Sequence, residues 1–401
     1  MEPAAARGFL YRALNSYESG FSVFIKGVPF CFLPDAYDHI LPAPGAAKGQ
    51  CPPVCRRCRL RELCPGLPPG GFFSGRRDLL NPVLELPNEI VLEVNRRCNL
   101  ACAVCTSRGL EEELSLPLIR RHLARARALG IKNIRFTGGE PFLHPRICAA
   151  LAAAKKLGFY VMVNTNATLL NRELIKDAAP FIDNILVSLQ GCDAHSEAAA
   201  TGKPGLFEKK IRNIRLLRRC GIPVVRLGTV ISGALLDAPG KYLRLARNLK
   251  ADVWELYRPM GPQGGDRRPQ VSVRALRRLA ARLEPRTEKG PQVVFANPVP
   301  FCLFKRSQAP LFLGARFDDG HSRLVLDPRG FYKPSYYIQQ NLGADALRAW
   351  NGPFLKKLSA GRYLAGKCAR CVFRLRCLGG SRFMAHSSGR GYCGKDPWLA
   401  A

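Results

Sequence analysis

The sequence predicts an α/β protein, a partial (β/α)6 barrel flanked by small Cys-rich N- and C-terminal domains. Three observations predict it. Between residues 89 and 284, six apolar strand-like runs alternate with six helix-like stretches. Twelve of the sixteen cysteines gather just after the first strand and near the two ends of the chain. A length of 401 residues is enough for two or three domains. The expected divisions are 1–86, 87–285 and 286–401.

The strands are expected at 89–94, 133–136, 159–164, 184–189, 224–231 and 252–257, each a short run rich in Val, Ile, Leu or Phe. Helical periodicity falls at 116–130, 145–158, 171–180, 205–220, 241–250 and 273–284. Gly130, Gly158 and Gly221 stand where a helix end favours a left-handed residue. Short connections between like strands demand right-handed crossovers, and so a parallel sheet that curls into an open barrel. The Gly- and Pro-rich stretch 259–269 reads as a loop over the mouth.

Cys98, Cys102 and Cys105 follow the first strand at C-x3-C-x2-C spacing. Three thiolates this close can hold three corners of an iron–sulfur cube, and no fourth cysteine follows nearby. By spacing alone, zinc competes. Further on stands Arg135-Phe-Thr-Gly138-Gly139-Glu140-Pro141, whose glycines let backbone approach a ligand and whose carboxylate can accept from an ammonium. Asn164, Asn166, Ser188 and Gln190 close the third and fourth strands, at the end where parallel barrels place ligand-binding groups.

On these motifs, residues 87–285 resemble the radical S-adenosylmethionine (radical SAM) superfamily, which makes the barrel a radical SAM barrel. The resemblance implies that Cys98, Cys102 and Cys105 hold a 4Fe–4S cluster whose open iron chelates SAM. It implies that Gly138, Gly139 and Glu140 seat the SAM amino group. Asn164, Asn166, Ser188 and Gln190 would hold the ribose, the carboxylate or the substrate. One electron would split SAM to methionine and a 5′-deoxyadenosyl radical, which takes hydrogen from a substrate.

The two ends share a C-x2-C-x5-C pattern: Cys55, Cys58, Cys64 and Cys368, Cys371, Cys377. The second resembles the SPASM extension, which normally carries two auxiliary 4Fe–4S clusters. Here Ser335 and Ser381 stand where that pattern has cysteines of the first auxiliary cluster. The resemblance therefore implies one C-terminal auxiliary cluster, on Cys368, Cys371, Cys377 and Cys393. Cys302 is left over and is expected to be a buried apolar thiol. The N-terminal trio needs a fourth ligand, Cys31 or Cys51; Cys31 is favoured, and iron–sulfur and zinc both remain open. Cys148, Cys192 and Cys220 are isolated and read as core thiols.

No run of 18 apolar residues and no signal-like apolar segment occurs, so a cytoplasmic protein is expected, neither secreted nor membrane-spanning. In that compartment many cysteines argue for metal rather than disulfides. Lys and Arg number 62 against 30 acidic residues, a formal charge of +32. Such a surface suits an acidic electron donor, ferredoxin or flavodoxin, or an acidic peptide; RNA is a third partner, without a recognition module to support it. A solvated basic surface is the plain alternative. For the substrate, the resemblance implies a peptide or protein side chain, oxidised or crosslinked. Haem-type or other cofactor biosynthesis comes second, and tRNA modification third. A non-catalytic iron–sulfur or zinc protein that binds RNA is the different class, and it would need neither the Gly-Gly-Glu turn nor the barrel.

Overall fold

The computed structural model describes residues 3–17, 23–42, 49–67, 79–105, 111–260, 271–283, 290–312, 320–358 and 361–399. Most of the loop expected at 259–269 lies outside them, as does the expected boundary at 285/286. An N-terminal helix, α1 (Pro3–Tyr17), precedes a region of short 3-10 turns.

The centre is one sheet. Its strands are β1 (Glu89–Asn95), β2 (Asn133–Gly138), β3 (Tyr160–Thr165), β4 (Asn184–Ser188), β5 (Val224–Val230), β6 (Val253–Tyr257), β7 (Gln292–Phe295), β8 (Arg323–Leu326) and β9 (Tyr332–Lys333). The order is β7-β6-β5-β4-β3-β2-β1-β8-β9, and every pair is parallel except β8 with β9. The first six strands stand where the apolar runs placed them. The sheet then goes on: β7 extends the β6 edge, and β8 lies parallel to β1, its partner from far earlier in the chain. A four-residue strand with a distant partner leaves no helix-alternating signal, which is why six strands were legible and nine are present among the described residues.

The connecting helices are α2 (Leu116–Ala128), α3 (Ile147–Lys156), α4 (Arg172–Ala178), α5 (Ala194–Thr201), α6 (Phe207–Arg219), α7 (Gly233–Asp237), α8 (Pro239–Asn248) and α9 (Val273–Arg282). Local chemistry sets their ends. The Ser115 hydroxyl caps α2 by accepting from the Leu118 N–H, and Asp193 with Ser196 forms a capping box on α5. Gly130, after α2, has φ +84°, a left-handed stop a side chain would resist. α5 and α7 had no expectation: α5 (AHSEAAAT) carries no large apolar residue to mark a face, and α7 is only five residues long.

Strand alternation sorts the residues into two layers. Ile134, Phe136, Val161, Val163, Ile185, Val187, Val225, Leu227, Trp254 and Leu256 are buried and belong to the main apolar core. The alternate positions, Arg135, Thr137, Asn164, Ser188, Arg226, Gly228, Glu255 and Tyr257, line the barrel interior. So the outward layer holds the barrel together and the inward layer is polar. Among the described residues no helix is long and apolar enough to cross a membrane.

The N- and C-terminal cysteine regions pack on each other as well as on the barrel. Arg376 is buried; its Nε donates to Asp38 Oδ2 at 2.8 Å and its Nη2 meets His39 Nε2 at 2.5 Å. The rings of Phe24 and Phe373 stack edge-on at 5.2 Å, and the Arg59 guanidinium lies 3.8 Å from the centre of the Trp350 ring.

Candidate active site and cysteine centres

A cavity of about 460 Å³ fills the barrel interior, and Cys98, Cys102, Cys105, Gly138, Gly139, Asn164, Asn166, Ser188 and Gln190 all line it. Of the barrel residues singled out in the sequence, Glu140 alone is not on that wall.

The reason lies in how the first two strand ends meet. The β1–β2 register slips between Glu93 and Asn95, and the chain then turns toward Cys98. Gly139 N donates to Asn95 O at 3.1 Å, Glu140 N to Arg97 O at 2.8 Å, and Asn95 Nδ2 to Glu140 O at 3.0 Å. A Cβ on Gly139 would lie 2.2 Å from Arg97 O, and one on Gly138 would lie 2.3 Å from Asn95 O. The glycines therefore let the two strand ends cross, in addition to presenting backbone to the cavity. The Glu140 side chain points the other way and is fully buried. Its Oε1 accepts from Thr165 Oγ1 at 2.7 Å and Phe142 N at 3.1 Å, and its Oε2 from Asn166 N at 2.7 Å. Burial raises its pKa, while these donors favour the carboxylate. These contacts make the carboxylate a brace between the end of β2 and the end of β3.

Asn166 continues that brace. Its Nδ2 donates to Asn99 Oδ1 at 3.0 Å and stands 3.7 Å from Cys98 Sγ, while Leu100 N lies 3.4 Å from the same sulfur. Ala101 N donates to Thr201 O at 2.9 Å, which ties the cysteine loop to the end of α5. Asn164 Oδ1 accepts from Arg135 Nη1 at 3.0 Å, and Gln190 Oε1 accepts from Val230 N at 2.8 Å. Burial pushes the Cys102 thiol up to about 11 and raises Cys98 as well, so a nearby cation or metal is needed to hold either as thiolate.

One such cation went unnoticed in the sequence. Lys210, on α6, has a fully buried side chain that lines the cavity. Its Nζ donates to Glu197 Oε1 at 2.5 Å and to Ser188 O at 3.0 Å, and its charge favours the Cys102 thiolate. Glu197 Oε2 in turn accepts from Gln190 N at 2.7 Å and Gly191 N at 2.6 Å. Lys210 hid within a basic amphipathic helix; only the fold separates it from the half-buried Lys209 and the exposed Arg212.

Deeper in the barrel lies a second polar layer. Arg135 Nε and Nη2 grip Glu89 at 2.7 and 3.2 Å, while Arg226 pairs with Glu255 and donates to Asn184 Oδ1 at 2.6 Å. Burial works against the Glu89 carboxylate, but Arg135, Arg323 and Arg226 together hold its pKa down to about 2. The sequence signal was there: charged residues at alternate positions inside otherwise apolar strands.

At the N-terminal end, Cys31, Cys51, Cys55, Cys58 and Cys64 all line one small cavity with Gln50, Arg61 and Leu67. Burial, then the neighbouring Cys64, Cys55 and Cys58, raises the Cys31 thiol to about 12. Both candidate fourth thiols thus face the same space as the trio. At the other end, Cys377 is reached by the Phe301 backbone and neighbours Cys302 and Cys371 electrostatically. Cys302 is exposed, with the thiols of Cys368 and Cys371 nearby. This corrects the reading of Cys302 as a buried core thiol: Phe301 anchors the turn by packing on Phe373 at 5.4 Å and leaves the next residue facing the cysteine motif. Arg382 joins the Cys393 turn to the segment after Cys377, donating to Gly394 O at 2.7 Å and Gly379 O at 2.8 Å. Cys148, Cys192 and Cys220 are half-buried against the main core. Among the described residues no three His, Cys, Asp or Glu side chains already stand where they could share one metal ion.

Ser335 and Ser381 are both fully buried. Ser335 Oγ accepts from Tyr337 N at 3.3 Å and Ile338 N at 3.1 Å; Ser381 Oγ accepts from Met384 N at 3.2 Å. Each hydroxyl is taken up by local backbone.

Known proteins bear on this geometry. The sequence model of the Radical SAM superfamily matches residues 92–246, from β1 to α8. The AdoMet-dependent heme synthase of Methanosarcina barkeri is 28% identical over 191 residues, 46% of this chain and 54% of that protein. The PqqA peptide cyclase of Streptomyces rochei is 29% identical over 183 residues, 44% of this chain and 50% of that protein. The chain thus spans about half the length of the curated relatives it matches. Streptococcus suis SuiB bound to precursor peptide SuiA superposes with TM-score 0.62 at 18% identity, covering 78% of this chain and 75% of that one. Native anSMEcpe with bound AdoMet and the Cp18Cys peptide does so with TM-score 0.61 at 13% identity, covering 78% and 93%. At such identities the superpositions speak for the fold alone, and the sequence match speaks for the barrel: residues 92–246 carry a radical SAM domain, whose family implies a 4Fe–4S cluster and SAM.

Proposed function

We propose that this protein is a radical SAM enzyme that cleaves SAM reductively and takes a hydrogen atom from a peptide or protein side chain. One observation carries the reading: Cys98, Cys102 and Cys105 line the same cavity as the Gly138–Gly139 backbone and the inward strand ends. Three thiols beside a cavity wide enough for a nucleoside fit a 4Fe–4S cluster with one open iron. Held there by Cys98, Cys102 and Cys105, such a cluster would supply the electron for cleavage of SAM to methionine and a 5′-deoxyadenosyl radical.

The chain's own residues have separable tasks. Gly138 and Gly139 offer backbone to the SAM amino group, and Glu140 acts through them as a brace. Lys210 is the buried ammonium on the wall that can meet the SAM carboxylate, with Glu197 and Ser188 O fixing its position. Asn166 aims an N–H at Cys98 Sγ, the kind of contact that tunes a thiolate ligand. Asn164, Ser188 and Gln190 are available to ribose or substrate, and the closed apolar layer behind the strands keeps water from the radical. Cys368, Cys371 and Cys377, with Cys393, would hold one auxiliary cluster. Cys55, Cys58 and Cys64, with Cys31, would hold another centre, iron–sulfur or zinc. The Arg376–Asp38 contact joins the two regions, which suits electron entry from an acidic ferredoxin or flavodoxin.

The peptide substrate is supported by the relative that cyclises PqqA peptide and by the peptide-bound SuiB fold neighbour. A second reading, cofactor biosynthesis, draws on the heme synthase relative at nearly equal identity. The test is anaerobic reconstitution with iron and sulfide, then dithionite and SAM, with 5′-deoxyadenosine as the product measured. Formation of 5′-deoxyadenosine by wild type and its loss in Cys102→Ala is the expected result. Equal formation by both would overturn the assignment.

A further inference from the structure

The polar layer deep in the barrel reaches the residues assigned to SAM through Arg135, whose Nη1 donates to Asn164 Oδ1. Along β5, Arg226 stands two positions below Gly228 and four below Val230, so its Cα lies about 13 Å from the strand end where Gln190 meets Val230. That is a different level from Lys210 and the cysteines. Arg135, Arg226, Arg323, Glu255, Tyr257 and Tyr336 line this part of the cavity, Tyr257 reaching down from the level of Val230 to Glu255.

Most polar groups there are saturated. Arg135 spends its donors on Glu89, Asn164 and the Met162 sulfur. Glu255 accepts from Arg226 Nη1 and the Tyr257 hydroxyl. Two groups retain capacity: Arg226 Nη2 and the Tyr336 hydroxyl are buried and have no hydrogen-bond partner. Leaving a buried donor unsatisfied costs about 1–3 kcal/mol, more when it is charged. A cationic N–H and a phenol O–H on residues that line the cavity are both donors, complementary to an oxygen anion once the side chains turn to meet it. Glu93, the other carboxylate on this wall, is already held by Lys333 and Arg96 and does not compete for Arg226.

We infer that the floor of the barrel, through Arg226 and Tyr336, recognises a carboxylate carried by the substrate. The inference rests on the proposed function and deepens it: the acceptor of the radical is an acidic molecule, anchored by its carboxylate below the C–H bond that reacts. An acidic side chain of a peptide and a small polycarboxylic acid share this chemistry.

The experiment uses SAM-loaded, reconstituted full-length protein and isothermal titration calorimetry. The probes are N-acetyl-Ala-Glu-Ala-amide, its Gln isostere, and glutarate. Wild type should bind the Glu peptide about tenfold more tightly than the Gln peptide, the worth of one charge-assisted hydrogen bond. Arg226→Gln should abolish the preference, and Tyr336→Phe, which removes only a hydroxyl, should reduce it. Tighter binding of the Glu peptide than of glutarate assigns the carboxylate to a peptide; the reverse assigns it to a small acid. Equal affinity for the two peptides together with no binding of glutarate overturns the inference, as does a preference that survives both substitutions. 5′-Deoxyadenosine is measured on the same samples. Its formation without any carboxylate preference would sink the inference alone, and its absence with the preference intact would sink only the proposed function.

Discussion

Glu140→Gln separates the two roles open to that carboxylate. If Glu140 is a brace, the damage is to stability. Its Oε2 accepts from Asn166 N and its Oε1 from Thr165 and Phe142, all in a fully buried site. Glutamine keeps one acceptor and turns an NH2 group toward one of these donors. At least one charge-assisted bond is lost and one buried N–H is orphaned, which together cost about 2–4 kcal/mol. For a barrel of about 200 residues that lowers the melting temperature by about 5–10 °C. Differential scanning calorimetry reads this, and equilibrium dialysis reads SAM affinity on the same reconstituted protein. The brace predicts a lower melting temperature with SAM affinity changed less than about tenfold. Unchanged melting with a large loss of SAM affinity would refute it and restore Glu140 as a direct ligand of the ammonium.

Gly139→Ala should be far more damaging than its size suggests, because the new methyl would lie 2.2 Å from Arg97 O, backbone that cannot rotate away. Iron analysis should show loss from the central site; full iron content would contradict the crossing described at the ends of β1 and β2. His122 gives a pH prediction. Burial, then Arg125 and Arg121, lowers its pKa to about 4, and its Nδ1 lies 3.0 Å from the Tyr332 hydroxyl. The unfolded chain takes up this proton near pH 6.5 and the folded one only near 4, so stability is full above 6.5 and falls as pH drops between them. The fall is at most about 3 kcal/mol. Denaturant titrations of wild type and His122→Gln should converge as pH falls; parallel curves would count against it. Ser335→Cys with Ser381→Cys should add no iron, since local backbone N–H groups already hold both hydroxyls. A gain of about four irons would show the lost site to be intact.

What was legible in the sequence follows physical range. Cys98, Cys102 and Cys105, and Gly138 to Glu140, announce themselves because local spacing carries their chemistry. The strands β1 to β6 were visible because each is an apolar run followed by a helical period. The strand β8 was not, because its pairing partner β1 is remote and four residues make no pattern. That Glu140 also braces two strand ends was not legible, because its partners Thr165 and Asn166 come from another strand. Lys210 and Arg226 look like ordinary surface or strand residues until the fold withdraws them from water. Cys302 was misread for a similar reason: its place beside Cys368 and Cys371 depends on Phe301 packing against Phe373.

The most direct test of the central claim is electron paramagnetic resonance of the dithionite-reduced, reconstituted protein, with and without SAM, in wild type and Cys102→Ala. The account predicts an iron–sulfur signal that SAM alters in wild type and that no longer responds to SAM in Cys102→Ala. A signal indifferent to SAM in wild type, or the same response in both proteins, would contradict it.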